Sequence, residues 1–272
     1  MTKIENYATF FLVISFFFLS SLFASSAKEE TGLIAYWDFD EGFGEVAKDK
    51  SGNENNGKTN GAKWVKVKGG FALKFNGDDN VNCGNNSNLS FNERAFSIEL
   101  CVKPSSLKKE ASVITKGIGA EEYTIRVGGV YLDRAIMFLG GWDNYRYSGK
   151  KAIRKGCWTH IVYVKSGTNL DCYIDGKFSN GSVTTIPSSV SGSKSLQIGG
   201  GCGRFKGIID EVKVYNRALT AEEVIASYEQ ISLPTQRKYV IKSIIKYAKF
   251  CLIALMIIFI VIMRKFWVHQ ET

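Results

Sequence analysis

Proline and histidine are what this chain has least of: three and two, respectively, in 272 residues. With so little proline and no low-complexity tract, it is neither disordered nor collagen-like. Only His160 falls in the central region; the other histidine lies in the C-terminal tail. His160 shares an alternating face with Trp158, Val162 and Val164, so it reads as a core side chain rather than a base. Cys157 lies three residues before it, but that spacing in an extended strand does not bring thiol and imidazole together. The run Gly199-Gly200-Gly201-Cys202-Gly203 is not a phosphate loop, because neither a helix nor a Lys-Ser/Thr pair follows it. No enzyme activity is expected. Basic excess is also missing from the middle: residues 28–234 carry 27 Lys and Arg against 24 Asp and Glu. That leaves no concentrated positive surface for nucleic acid.

What the chain does have is 27 glycines and, among its aromatics, 18 Phe, 12 Tyr and 5 Trp. Short twisted strands and tight turns use this composition, and an all-β domain is expected. Period-two alternation marks Leu33–Phe39, Phe71–Phe75 and Phe96–Lys103. In the last of these Phe96, Ile98, Leu100 and Val102 oppose Ser97, Glu99, Cys101 and Lys103. Trp158–Lys165, Leu170–Asp175, Leu196–Ile198 and Ile208–Tyr215 add four strands, and Asp175-Gly176 signals a tight turn. Thr220 followed by Glu223 predicts one capped helix, Ala221–Glu229. Many strands and one short helix make a single sandwich or jelly roll.

The two ends read differently. Residues 1–27 run from Lys3 and Glu5 through apolar Ala8–Phe23 to small Ala24–Ala27, the order of a signal peptide cleaved after Ala27; the alternative is an uncleaved anchor. Residues 235–249 form a basic amphipathic segment in which Lys242, Lys246 and Lys249 oppose Ile241, Ile244, Ile245 and Ala248. Residues 250–268 are expected to be a transmembrane helix contacting membrane lipid, followed by the tail 269–272. The predicted product is a single-pass membrane protein whose domain, residues 28–234, faces the extracellular or extracytoplasmic side. More basic residues precede the span than follow it, which the positive-inside rule disfavours for a cytoplasmic C-terminus.

The order of motifs carries a family resemblance. Gly32-Leu33-Ile34-Ala35-Tyr36-Trp37-Asp38-Phe39-Asp40-Glu41-Gly42 opens the series, followed by Asp49, Ser51-Gly52-Asn53 and Asn55-Asn56-Gly57. Phe75-Asn76-Gly77, Trp158-Thr159-His160 and Tyr173-Ile174-Asp175-Gly176 come next. Gly207-Ile208-Ile209-Asp210-Glu211-Val212 with Tyr215-Asn216-Arg217-Ala218-Leu219 closes it. Over residues 32–230 this resembles the laminin-G-like (concanavalin A-like lectin/glucanase) jelly rolls, which implies a sandwich of two antiparallel sheets. Cys101 departs from it, since the family usually has an aromatic residue there. The Glu-x-Asp-x-x-Glu arrangement of the superfamily's glucanases does not occur in this sequence.

Candidate sites follow from both readings. Alternation places Asp210 with Ile208, Val212 and Val214, facing the core, where an ionised carboxylate needs a partner. The resemblance implies a structural calcium ion between the end of the first strand and the aspartate of the last. The expected ligands are Asp40, Asp210 and oxygens of Gly52, Asn53 and Asn55; the alternative is a carboxylate bonded to backbone amides without metal. Trp142, Asp143, Asn144, Tyr145, Arg146 and Tyr147 form the densest cluster of aromatic and polar residues and are the expected ligand-binding set for a glycan or glycoprotein. Alternatively, Tyr145 and Tyr147 are the buried side of a strand. Tyr163 and Tyr173 are second candidates. A protein-binding adhesion module without a sugar pocket, and a glycan-cleaving enzyme, are the rival functions. Five of six cysteines (Cys83, Cys101, Cys157, Cys172, Cys202) lie in the domain, where export permits up to two disulfides, though buried free thiols are equally compatible; Cys251 is in the span. Asn85, Asn88 and Asn180 stand in Asn-x-Ser sequons.

Overall fold

The computed structural model describes residues 31–91, 94–117, 121–129, 133–183, 194–201 and 203–232. The expected signal peptide, juxtamembrane segment and transmembrane helix lie outside these residues. Among the described residues no helix is long and apolar enough to cross a membrane.

Two antiparallel sheets face each other, as expected. Sheet A contains β1 (Leu33–Trp37), β4 (Lys63–Val67), β5 (Gly70–Asn76), β7 (Phe96–Pro104), β12 (Thr159–Ser166), β13 (Asn169–Ile174), β14 (Lys177–Val183) and β16 (Lys206–Tyr215). Its order is β14-β13-β12-β7-β16-β5-β4, and β1 continues beside β16 where β5 leaves off. Sheet B runs β11 (Tyr145–Tyr147), β10 (Ala135–Leu139), β9 (Tyr123–Val127), β8 (Ala111–Lys116), β15 (Leu196–Ile198), β6 (Asn80–Asn82), β3 (Gly57–Asn60), β2 (Val46–Ala47). The core between them holds Trp37, Leu73, Phe75, Ile98, Leu100, Val113, Ile125, Met137, Ile161, Tyr163 and Val214. At ~25 cal/mol per Å² of apolar area removed from water, this double layer is the main stabilising contribution.

The strands read from alternation are all present, with ends shifted by a residue or two. The Asp175-Gly176 signal is a hairpin turn between β13 and β14. Ile174 pairs with Lys177, and both turn residues have positive φ (49° and 73°), as a type I′ turn requires. The helix, α1 (Ala221–Ser232), starts where expected and runs three residues longer. Thr220 and Glu223 form a reciprocal capping box: Glu223 N–H donates to Thr220 Oγ1 at 3.3 Å and Thr220 N–H to Glu223 Oε2 at 2.9 Å.

Strand β7 departs from the half-buried expectation because α1 covers the face of sheet A away from the core. Ser97, Glu99 and Cys101 are buried there. Val162, Val164, Tyr215, Leu219 and Val224 form a second, smaller apolar cluster between sheet and helix. Val162 and Val164 therefore face the helix, and Tyr163, expected to point away from the apolar side, is buried between the sheets, where its hydroxyl donates to the Arg146 carbonyl at 3.1 Å. Tyr163 is withdrawn as a ligand candidate.

Candidate functional site

On sheet B, strand β10 alternates cleanly. Ala135, Met137 and Leu139 enter the core, whereas Ile136 and Phe138 point out of the sandwich, where Tyr147 packs on them. Register sets Tyr147 opposite Ile136 and Tyr145 opposite Phe138, so the aromatics of β11 extend the same outer face. The turn between the strands adds Trp142, edge-on to Phe138 at 4.9 Å; Phe138 and Tyr145 lie at 5.7 Å, Tyr145 and Tyr147 at 5.2 Å. Arg126 on β9 lays its guanidinium 4.3 Å from the Trp142 ring and 5.5 Å from Phe138, held by Glu110 at 3.0 Å. Trp142 and Tyr145 remain 42% and 43% exposed, so a braced aromatic surface is open to solvent.

Three of the six residues expected to bind ligand are thus brought together: Trp142, Tyr145 and Tyr147. Asp143 is exposed in the turn, and the Asn144 carbonyl closes the hairpin by accepting from Leu139 N–H at 2.8 Å. Arg146 pairs with Met137, so its side chain takes the inner face and not the platform. Tyr145 and Tyr147 do belong to a strand, yet on its outer side. Phe138 and Arg126 were missed; the alternation of Tyr123–Val127 was a signal for Arg126, whereas Ala135–Leu139 is apolar throughout and its sequence marks neither face.

Sheet A carries the second feature. Under α1, Glu99 on β7 accepts a hydrogen bond from Ser227 of the helix and sits 3.1 Å from His160 Nε2 on β12. Burial pushes the Glu99 carboxyl up, but the His160 hydrogen bond and charge, with Lys213 and Ser227, outweigh it and hold it below the usual range. Tyr228 stacks on His160 at 5.7 Å. Beyond this network a cavity of about 610 Å³ opens, lined by Asp40, Cys101, Trp158, His160, Asp175, Asp210, Glu211 and Tyr228 among others.

Asp210 reaches this cavity because alternation fails in β16. A bulge between Asp210 and Lys213, with Glu211 at φ 53°, shifts the pattern by one residue. Ile209, Val212 and Val214 face the core, and Asp210 lies on the opposite side with Ile208, contrary to the inward placement expected. Burial first, then the charge of Glu211, raises its carboxyl to about 8, against the pull of its own bond from Glu211 N–H. Glu211 is raised too, chiefly by burial, while the Tyr36 hydroxyl 2.6 Å away opposes this.

The expected calcium ligands are not gathered into one donor set. Asp40 and Asp210 line the same cavity, but Gly52, Asn53 and Asn55 do not. Asn53 and Asn55 turn their side-chain amides to the Leu33 and Ile34 carbonyls, and Asn55 N–H donates to Asp49 Oδ2, building a turn locked onto β1. Among the described residues no three His, Cys, Asp or Glu side chains are grouped to hold a metal. Cys83, Cys101, Cys157 and Cys172 are free thiols, so the expected disulfides do not link them; Cys202 and Cys251 lie outside the described residues.

A family model described as the concanavalin A-like lectin/glucanases superfamily matches residues 75–225. No curated protein matches the sequence. Among solved structures, the binding domain of Paraclostridial Mosquitocidal Protein 1 superposes with TM-score 0.61 at 14% identity, over 75% of this chain and 53% of that one. Domain 4 of AbnA, a GH43 extracellular arabinanase from Geobacillus stearothermophilus, in complex with arabinotriose, gives 0.56 at 23% identity, over 71% and 97%. The binding domain of botulinum neurotoxin DC in complex with SialylT gives 0.56 at 12%, over 75% and 52%. The chain spans about half the length of the toxin domains it matches. At these identities the likeness is one of fold.

Proposed function

The chain belongs to the concanavalin A-like lectin/glucanases superfamily, and from that premise we propose that it is a non-catalytic glycan-binding module displayed on the outer side of a membrane. The observation that carries this reading is the open platform of Trp142, Tyr145 and Tyr147, seated on Phe138 and braced by Arg126. Ring faces of this kind accept the apolar face of a pyranose or furanose, while the Arg126–Glu110 pair beside them offers donors and acceptors to hydroxyls. The arabinotriose held by the AbnA domain and the SialylT held by the toxin domain support a carbohydrate ligand for a sandwich of this shape.

Export and anchoring rest on the two apolar ends of the sequence, residues 1–27 and 250–268. Alkaline carbonate extraction and protease shaving of intact cells test this: a carbonate-resistant protein with its domain shaved from outside is expected, and release into the soluble fraction overturns it.

The binding test is a glycan array probed with the detergent-solubilised full chain. Trp142→Ala and Tyr145→Ala are expected to weaken the recognised glycan by about tenfold or more, with an unchanged melting profile. Binding of protein partners alone by the wild type would favour an adhesion module, and oligosaccharide released from a polysaccharide would identify a hydrolase.

A further inference from the structure

The cavity on sheet A lies on the opposite sheet from the aromatic platform, and its chemistry differs. Four carboxylates line it, and each is oriented through one oxygen by a donor of the chain. Asp40 Oδ1 accepts from Phe71 N–H at 2.8 Å, Asp175 Oδ1 from His160 N–H at 2.9 Å, Asp210 Oδ1 from Glu211 N–H at 3.0 Å, and Glu211 Oε2 from the Tyr36 hydroxyl at 2.6 Å. The second oxygen of each is left to a ligand, that of Asp210 once its proton is displaced.

His160 supplies an independent observation. It is 2% exposed, lines the cavity, and commits Nε2 to Glu99 Oε1 at 3.1 Å, which leaves Nδ1 to bond elsewhere. That Nδ1 is buried and has no hydrogen-bond partner. Apart from the exposed Lys68 and Arg154, the charged side chains lining the cavity are acidic, a surface that favours a cation able to displace the proton burial leaves on Asp210. Trp158, 40% exposed on the same wall, offers a ring face beside them.

An ammonium group on an otherwise apolar-faced ring satisfies both demands, since it carries three donors and a positive charge. We propose that this cavity is a second carbohydrate site that binds the protonated amine of an amino sugar among Asp175, Asp210 and Glu211, with the pyranose against Trp158. This deepens the glycan-binding reading and rests on it.

The test is calorimetric titration of the detergent-solubilised full chain with a glucosamine tetramer and, separately, its N-acetylated counterpart, which is neutral. The glucosamine tetramer is expected to bind about tenfold or more tighter than the acetylated one, a ratio typical of one charge-assisted contact set. The double variant Asp175→Asn, Asp210→Asn and the single variant Trp158→Ala are each expected to abolish that preference, and Tyr145→Ala to leave it intact. Asparagine keeps the acceptor of residue 175 and tolerates its positive φ, and the melting profile of every variant confirms its fold.

Four outcomes overturn the proposal: equal affinity for the two tetramers, loss of the preference in Tyr145→Ala but not in the cavity variants, displacement of the amine by millimolar calcium, or shortened tetramers in the cell. Retained array binding to neutral glycans alongside a failed titration removes this site and leaves the platform. Loss of both removes the glycan reading itself.

Discussion

Gly70 opens β5 against the carboxylate of Asp40, so closely that a Cβ there would overlap Asp40 Oδ1. Gly70→Ala is expected to push Asp40 off Phe71 N–H and to cost about 1–3 kcal/mol through that unmade bond, read as a lower denaturant midpoint. Asp210 supplies a pH signature. Its folded-state pKa, about 8, stands above its ordinary 3.8, so the folded protein holds a proton that the unfolded chain has released between these values. The stability it contributes is full below about pH 4 and is lost as pH rises through 8. The melting temperature of Asp210→Asn relative to wild type should therefore climb between pH 5 and 9; a difference flat across that range refutes the shift. The aromatic cluster and the aspartates of the first and last strands could be read from sequence. Their directions could not, because alternation holds only until a bulge changes its phase, and nothing in Asp210-Glu211-Val212 marks residue 211 as the one with φ 53°.

Helix α1 depends on two devices, one local and one tertiary. The local device was legible in its cap, Thr220 with Glu223, but not in the grip of Arg217 on Glu223 through two contacts of 2.7 and 2.8 Å. Thr220→Ala is expected to cost about 1 kcal/mol, lowering the melting temperature by roughly 2–4 °C for a domain of this size. The tertiary device, Glu99 with His160 and Ser227, was not legible, since its members are 61 and 128 residues apart and meet only once β7, β12 and the helix are stacked. Glu99→Ala strands both partners in a dry layer and should cost about 3–5 kcal/mol, whereas Ser227→Ala, which leaves the His160 contact in place, should cost about 1. Circular dichroism melts of the two variants separate the cases. Strands β8 and β10 were also missed, because a bulge between Ser112 and Ile114 breaks the alternation of Ala111–Lys116 and Ala135–Leu139 is apolar throughout, without the polar half that reveals a strand.

At the scale of the whole molecule, composition and motif order were sufficient for the architecture, and the two-sheet sandwich needs no covalent cross-link among the described cysteines. Reductant is accordingly expected to leave the melting temperature unchanged, and thiol reagents to modify Cys83 and Cys172, buried away from the cavity, only on unfolding. One topological feature sets how such a chain must mature. Strand β16, the last among the described residues, occupies the middle of sheet A, joining β7 on one flank to β5 and β1 on the other. Until residues 206–215 leave the ribosome, the earlier strands have a gap where their common neighbour belongs, and their edges stay open to wrong pairings. Late closure of this kind makes folding slow and post-translational, and gives a chain in transit a reason to remain unfolded until its end has been made.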